Sequence, residues 1–265
     1  MKLRLFFSWS MSCIAAALLI AGCASSPEMH REEILTSSDQ TDNQKRARIR
    51  LQLAVGYYQQ GQMSVALDEI KQALQADPNL AEAYSMRALI YMNMGENRLA
   101  EDNFLQAIRL SPSTPDFSNN YGWFLCQTGR ERQSITYFEA ALKSRAYQSP
   151  AKALTNAGIC SLKVKDLNAA ERYLAQSFQY DPGNPSTNSS LGKIYYDRGD
   201  YERARFYIGL VMKADIMAAD VLWLGIKIER KRGDRAAETS LATQLRRRHG
   251  SSAEYAAYQR GAFDE

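Results

Sequence analysis

The sequence predicts an all-α protein, a superhelical solenoid of about six helix-turn-helix repeats set behind a short N-terminal leader. Three observations predict it. Glycines recur at a fixed interval: Gly61, Gly95 and Gly129 are 34 residues apart, and Gly199 and Gly233 keep the same spacing. Small residues and prolines share that interval, as in Ala66 and Ala100, Ala73 and Ala107, Pro78 and Pro112, and Ala170 and Ala204. The chain is also 45% hydrophobic and 23% charged, enough to bury a sizeable core without forming a membrane bundle. A helical pair of this length cannot bury its apolar face alone, so successive pairs must stack and leave a concave groove.

The leader comes first in chain order. Lys2 and Arg4 precede an apolar run from Leu5 to Ile20, interrupted by Ser8, Ser10 and Ser12. Its 16 residues fall short of the roughly 20 that span a bilayer, so it reads as the apolar region of a secretory signal. The run closes on Leu19-Ile20-Ala21-Gly22-Cys23, which resembles the bacterial lipobox. Small side chains before Cys23 let a peptidase reach the bond, and the thiol is the nucleophile that accepts a diacylglyceryl group. Residues 1–22 are therefore expected to be a lipoprotein signal peptide, with lipid on Cys23. Lipoproteins of this kind resemble one another in carrying three acyl chains, and at about 0.8 kcal/mol per buried CH₂ three anchor firmly. Ala24 follows Cys23 where, in the lipoproteins this resembles, Asp would favour retention in the inner membrane. The resemblance therefore implies an outer-membrane address facing the periplasm. Residues 23–42, with Ser25, Ser26, Pro27, Ser37 and Ser38, read as a lipidated flexible tether reaching roughly 25 Å.

The solenoid is expected over 43–250, with repeats at about 47–80, 81–114, 115–150, 151–184, 185–218 and 219–250, then a C-terminal tail over 251–265. The period and pattern resemble the tetratricopeptide repeat (TPR). The first repeat carries Leu53, Ala54, Tyr57, Gly61, Ala66, Ile70, Ala73 and Pro78 at the characteristic places. The second carries Tyr84, Ala88, Tyr91, Gly95, Ala100, Phe104, Ala107 and Pro112. The third has Gly122, Gly129, Phe138 and Ala141, with Ser134 where Ala is usual. A two-residue slip at Tyr147-Gln148-Ser149-Pro150 precedes the fourth repeat, which has Leu154, Gly158, Ala170, Leu174, Ser177 and Pro182. The fifth has Leu191, Gly192, Tyr195, Gly199, Ala204 and Ile208. The sixth keeps little beyond Gly233 and reads as an atypical terminal cap. Small residues such as Ala66 suit a helix crossing, Gly61 a left-handed helix end, and Pro78 a helix stop.

Charge and side-chain chemistry exclude other classes. Net charge is +4 for the whole chain, and without Lys2 and Arg4 it is +2, too balanced for a nucleic-acid binder. The run Arg246, Arg247, Arg248 reads as a solvated last helical turn. His30 and His249 are the two histidines, and neither has a Cys or carboxylate partner at metal-ligand spacing. No phosphate loop, HExxH or GxSxG pattern occurs, and Glu28, Glu32 and Glu33 lie in the tether, where catalytic geometry cannot be held. The expectation is a non-enzymatic protein-binding chain without cofactor, metal or small-molecule substrate, apart from the covalent lipid on Cys23.

With Cys23 lipidated and Cys13 removed with the leader, Cys126 and Cys160 remain, on first helices of neighbouring repeats. In an oxidising periplasm they are a possible disulfide; the other reading is two separate buried cysteines acting as small hydrophobes. First-helix positions 5, 9 and 12 of such a repeat face the concavity. Here they give Leu51, Val55 and Tyr58, then Ser85, Leu89 and Met92, then Asn119 and Trp123. The expected protein-binding groove is therefore Leu51, Val55, Tyr58, Leu89, Met92 and Trp123, suited to an amphipathic helix or extended apolar peptide. Thr155, Ile159, Ser189, Lys193 and Tyr196 continue it with more polar character.

The lipobox, short tether and six repeats together resemble the type IV pilus biogenesis and stability lipoproteins of the PilW (PilF) family. The most specific stretches are Asn119-Asn120-Tyr121-Gly122-Trp123-Phe124-Leu125-Cys126-Gln127-Thr128-Gly129-Arg130 and Asn156-Ala157-Gly158-Ile159-Cys160. The resemblance implies an outer-membrane pilotin whose partner is the pilus secretin subunit, promoting that secretin's localisation and multimerisation. The alternative is a general TPR scaffold lipoprotein serving another envelope assembly complex.

Overall fold

A computed structural model describes residues 39–264. The signal peptide, Cys23 and most of the expected 23–42 tether lie outside the described residues. Among the described residues there are thirteen α-helices and no strand. They are α1 (Asp42–Gln59), α2 (Met63–Ala76), α3 (Ala81–Asn93), α4 (Asn97–Leu110), α5 (Pro115–Gln127), α6 (Glu131–Lys143), α7 (Pro150–Lys163), α8 (Leu167–Tyr180), α9 (Pro185–Asp197), α10 (Tyr201–Lys213), α11 (Ala219–Arg232), α12 (Arg235–His249) and α13 (Ala253–Arg260). Each odd-numbered helix from α1 to α11 packs on the even-numbered helix after it, and each pair packs on the next.

The pairing follows from size complementarity at the crossings. Ala66, Ala100, Ser134, Ala170 and Ala204 are fully buried there. Ser134 is tolerated in the small position because its hydroxyl donates to the Glu131 carbonyl at 2.6 Å. In repeats three to five the facing first-helix position is glycine, and a large second-helix side chain fills the space. A Cβ at Gly158 would lie 2.5 Å from Leu174 Cγ, and one at Gly122 would lie 2.9 Å from the Phe138 ring. In the sixth repeat the sizes are exchanged: Ile226 comes from α11 and Ala242 from α12, within one buried cluster. That exchange hides the repeat from pattern reading while keeping the crossing filled.

Helix ends show the same logic. After α3, the Gly95 N–H donates to the Met92 carbonyl and the Glu96 N–H to the Tyr91 carbonyl, a left-handed cap that needs positive φ. Lys165 holds that place in the fourth repeat at φ 59°, with the same pair of bonds from Lys165 and Asp166.

Leu53 is 43% exposed, because among the described residues no earlier repeat packs on that side of α1. One expectation needs correction. Residues 251–265 are not simply a tail: Ser252 caps α13 by accepting from the Tyr255 N–H at 3.1 Å, and Gly261 ends the helix at φ 70°.

Candidate protein-binding site

The first helices α1, α3 and α5 touch one another in sequence and carry the six expected groove residues. Leu51, Val55, Tyr58 and Leu89 are half-buried and pack on one cluster floored by Met86 and Ile90. Leu89 also joins Met92 on the next cluster, against Phe104 and Phe124. Trp123 belongs to a third cluster, with Cys126, Phe138, Leu154 and Cys160. The Asn93 amide donates to the Tyr58 hydroxyl and to the Leu89 carbonyl, fixing the ring's polar end at the edge of the strip. Each of the six residues keeps part of its surface exposed, so the strip is apolar and reachable.

Three neighbouring positions do not line it. Ser85 and Asn119 are buried between first helices, where the Asn156 amide donates to Asn119 Oδ1 at 3.1 Å. Thr155 is buried in a hydroxyl cluster with Ser177 and Thr187, 2.8 Å from each. Their polarity serves packing between repeats, where a buried hydroxyl or amide must find a partner. Ile159, Ser189 and Tyr196 remain half-buried, and Lys193 is exposed and paired with Asp197 at 2.6 Å.

Inter-repeat staples tie the second helix of one repeat to the first helix of the next. Glu101 of α4 accepts from the Tyr121 hydroxyl at 2.7 Å and from Arg130 Nη1 and Nη2 at 2.7 and 3.0 Å. Arg130's hydrogen bonds hold the Glu101 carboxyl below its usual range. Glu171 of α8 repeats the device with Tyr195 at 2.7 Å and with Arg198, and the Tyr195 hydroxyl foremost lowers that carboxyl. Burial, then Glu171, pushes the Tyr195 phenol up to about 12.

Cys126 of α5 and Cys160 of α7 are disulfide-bonded, with Cα atoms 5.9 Å apart. The bond joins the third repeat to the fourth across the two-residue slip, where Tyr147 is also buried. His249 has a structural part, its Nε2 lying 2.6 Å from the Met217 carbonyl. Among the described residues no group of three His, Cys, Asp or Glu side chains is gathered as a metal site. Among them, too, no helix is long and apolar enough to cross a membrane.

Sequence reasoning missed a second concave cluster. Counting back from Gly233 places Trp223, Lys227 and Arg230 at positions 5, 9 and 12 of the sixth repeat, equivalent to Leu51, Val55 and Tyr58 in the first. The glycine register was sufficient to find them. What obscured them was the exchanged volume at Ile226 and Ala242.

Comparison with known proteins agrees with this architecture. Tetratricopeptide repeat models match residues 85–149 and 161–215. The chain is 28% identical over 209 residues to the type IV pilus assembly protein PilF of Pseudomonas aeruginosa, covering 79% of this chain and 83% of that one. A crystal structure of PilW, described as a widely conserved type IV pilus biogenesis factor, is 32% identical and covers 80% of this chain and 98% of its own, with a TM-score of 0.74. The chain belongs to the PilW family of type IV pilus biogenesis factors. The solved P. aeruginosa PilF superposes with a TM-score of 0.78 at 26% identity, covering 83% of this chain and all of that one. The PilW and PilF matches therefore extend over most of the repeat array, including segments that neither repeat model reaches.

Proposed function

We propose that this PilW-family chain is a lipid-anchored pilotin. On this reading Cys23 carries the lipid, the anchor sits in the outer membrane facing the periplasm, and the partner is a type IV pilus secretin subunit. The protein performs no chemistry on that partner. It captures it.

The observation that carries the reading is the apolar strip of Leu51, Val55, Tyr58 and Leu89. The four side chains converge on one cluster, and among the described residues the helix bearing the first three contacts only its partner α2 and the next first helix α3. A secretin subunit in transit exposes membrane-seeking surface to water. A groove that binds it lowers the population of free, aggregation-prone chains by mass action. Acyl chains then deliver the pair to the bilayer, where a tether of roughly 25 Å keeps the subunit at high effective concentration.

Anchor and groove are therefore separable. Cys23→Ala is expected to leave a folded repeat array that binds secretin but misplaces its multimers. Leu51→Asp with Leu89→Asp is expected to localise normally and lose the multimers. The readout is heat-resistant secretin multimer abundance in separated membranes. Normal outer-membrane multimers in both variants would refute the pilotin reading in favour of a general envelope scaffold.

A further inference from the structure

The concave positions of the sixth repeat are occupied by the chain itself. Helix α13 turns back after Gly250 and packs on α11 and α12. The Phe263 ring stacks on Trp223 with centroids 5.3 Å apart, and Tyr258 meets Trp223 edge-on at 6.5 Å. The Arg230 guanidinium lies 4.0 Å from the centre of the Phe263 ring. Asp264 pairs with Lys231 at 3.3 Å. Beside them Lys227 is 9% exposed, and its ammonium lies over the rings of Tyr196 and Trp223 at 5.3 and 5.5 Å. A cavity of about 290 Å³ continues inward between Ser189, Lys193, Trp223, Lys227 and Glu254.

These contacts have the chemistry of a peptide in a groove, with aromatic rings on an aromatic floor and a carboxylate on a cation. They are shallower than those of an integral cap: Tyr255, Tyr258 and Phe263 pack against the buried Leu222, Ile226, Leu241, Ala242 and Leu245, yet each stays partly exposed. Helix α13 has eight residues and no fully buried side chain. A helix that short is unstable alone, so it exists only through what it touches. Its terminal ion pair is exposed, with 42% and 89% of the two side chains accessible, and such pairs hold weakly. Segments held this way open locally, without global unfolding.

We propose that the concave face of the sixth repeat is a second peptide-binding site, kept closed by the chain's own Tyr258, Phe263 and Asp264. The partner it fits is a protein segment of the same chemistry, two aromatic residues followed by an acidic one. The site is separate from the apolar strip of the first repeats, and does not depend on what that strip binds. A short tether holds the tail at an effective concentration on the order of millimolar, so a competing segment binds the closed chain more weakly than the opened one by about the ratio of that concentration to the tail's own dissociation constant.

The test uses the full chain and a fluorescent peptide of its own residues 252–265. In the full-length double variant Tyr258→Ser with Phe263→Ser, the tail is released while every residue of the groove remains. This variant is expected to bind the peptide at least tenfold more tightly than the unaltered chain. Adding Trp223→Ala is expected to abolish that binding. Amide exchange in the unaltered chain gives a second reading, with α13 expected to exchange by local opening, well before α11. Equal peptide affinity in the opened and unaltered chains, with helicity intact, would overturn the proposal. So would α13 amides that exchange only on global unfolding, or a double variant that fails to fold, because either makes α13 part of the core.

Discussion

In repeats one to three the second helices begin after Gln62, Glu96 and Arg130, none of which caps its helix with a side chain. In repeats four to six they begin after Asp166, Asp200 and Asp234, whose carboxylates accept from the Ala169, Arg203 and Ala237 N–H groups at 2.9, 3.1 and 2.9 Å. The concave faces differ in the same sense. Repeats one and two present an apolar strip, whereas the sixth is cationic and aromatic and lies under α13. At the N-terminal edge Ile49 and Leu53 are 58% and 43% exposed, while the sixth repeat buries Glu229 against Arg205 at 2.8 Å. One repeat architecture thus yields a less-fastened half that offers apolar surface and a more-fastened half that covers its own. In a solenoid each unit is held only by its neighbours, so local fasteners set local stability.

The Cys126–Cys160 bond is the covalent tie between those halves. Replacing both cysteines by serine is expected to cost about 2–4 kcal/mol. It should also separate urea unfolding into an earlier N-terminal and a later C-terminal transition, read by amide exchange. A single cooperative loss at an unchanged midpoint would contradict the comparison.

Lys165 is a weakness inside the better-fastened half. At φ 59° it occupies a place that glycine fills in the five other repeats. Lys165→Gly is expected to stabilise by about 1 kcal/mol, and Gly95→Lys to destabilise by about the same. Thermal melts of the two variants check both signs.

The caps come next in size. Asp166→Ala and Asp234→Ala are each expected to cost about 1 kcal/mol, and Gln62→Asp to add roughly half of that. Urea midpoints measure this. Equal insensitivity in both halves would remove capping from the comparison.

Acid gives the smallest effect. The folded Glu101 and Glu171 carboxyls sit below their ordinary range, so the protonated unfolded chain gains as pH falls. Their contribution is fully present above the ordinary carboxylate range and disappears as pH drops through the lowered values. Asp200, lowered foremost by the Arg203 N–H, adds to the C-terminal half alone. Urea midpoints at pH 7 and about pH 3 should therefore fall more for the C-terminal transition, and Glu171→Gln should reduce that drop.

Most of this fold was legible in the sequence, because a repeat states its rules several times over. Gly61, Gly95 and Gly129 each need positive φ, and Ala66 and Ala100 each mark a crossing. The site was legible only in part. Positions 5, 9 and 12 put Leu51, Val55 and Leu89 on one half-buried apolar cluster, but Asn119 and Thr155 occupy equivalent positions and are buried, because their neighbours offer hydrogen-bond partners. Helix α13 escaped notice because eight residues carry too little periodicity to separate a helix from a tail. Its aromatic contacts are tertiary, and no local pattern encodes them.

The proposed function requires the less-fastened half to capture the partner through its apolar strip. The most direct measurement is the affinity of the purified protein for a solubilised secretin subunit, compared between the unaltered chain and Leu51→Asp with Leu89→Asp. At least a tenfold loss of affinity is expected, about 1.4 kcal/mol, with the helical signal and melting temperature of the C-terminal repeats unchanged. Unchanged affinity in a folded double variant would contradict it and move the binding site off the first two repeats.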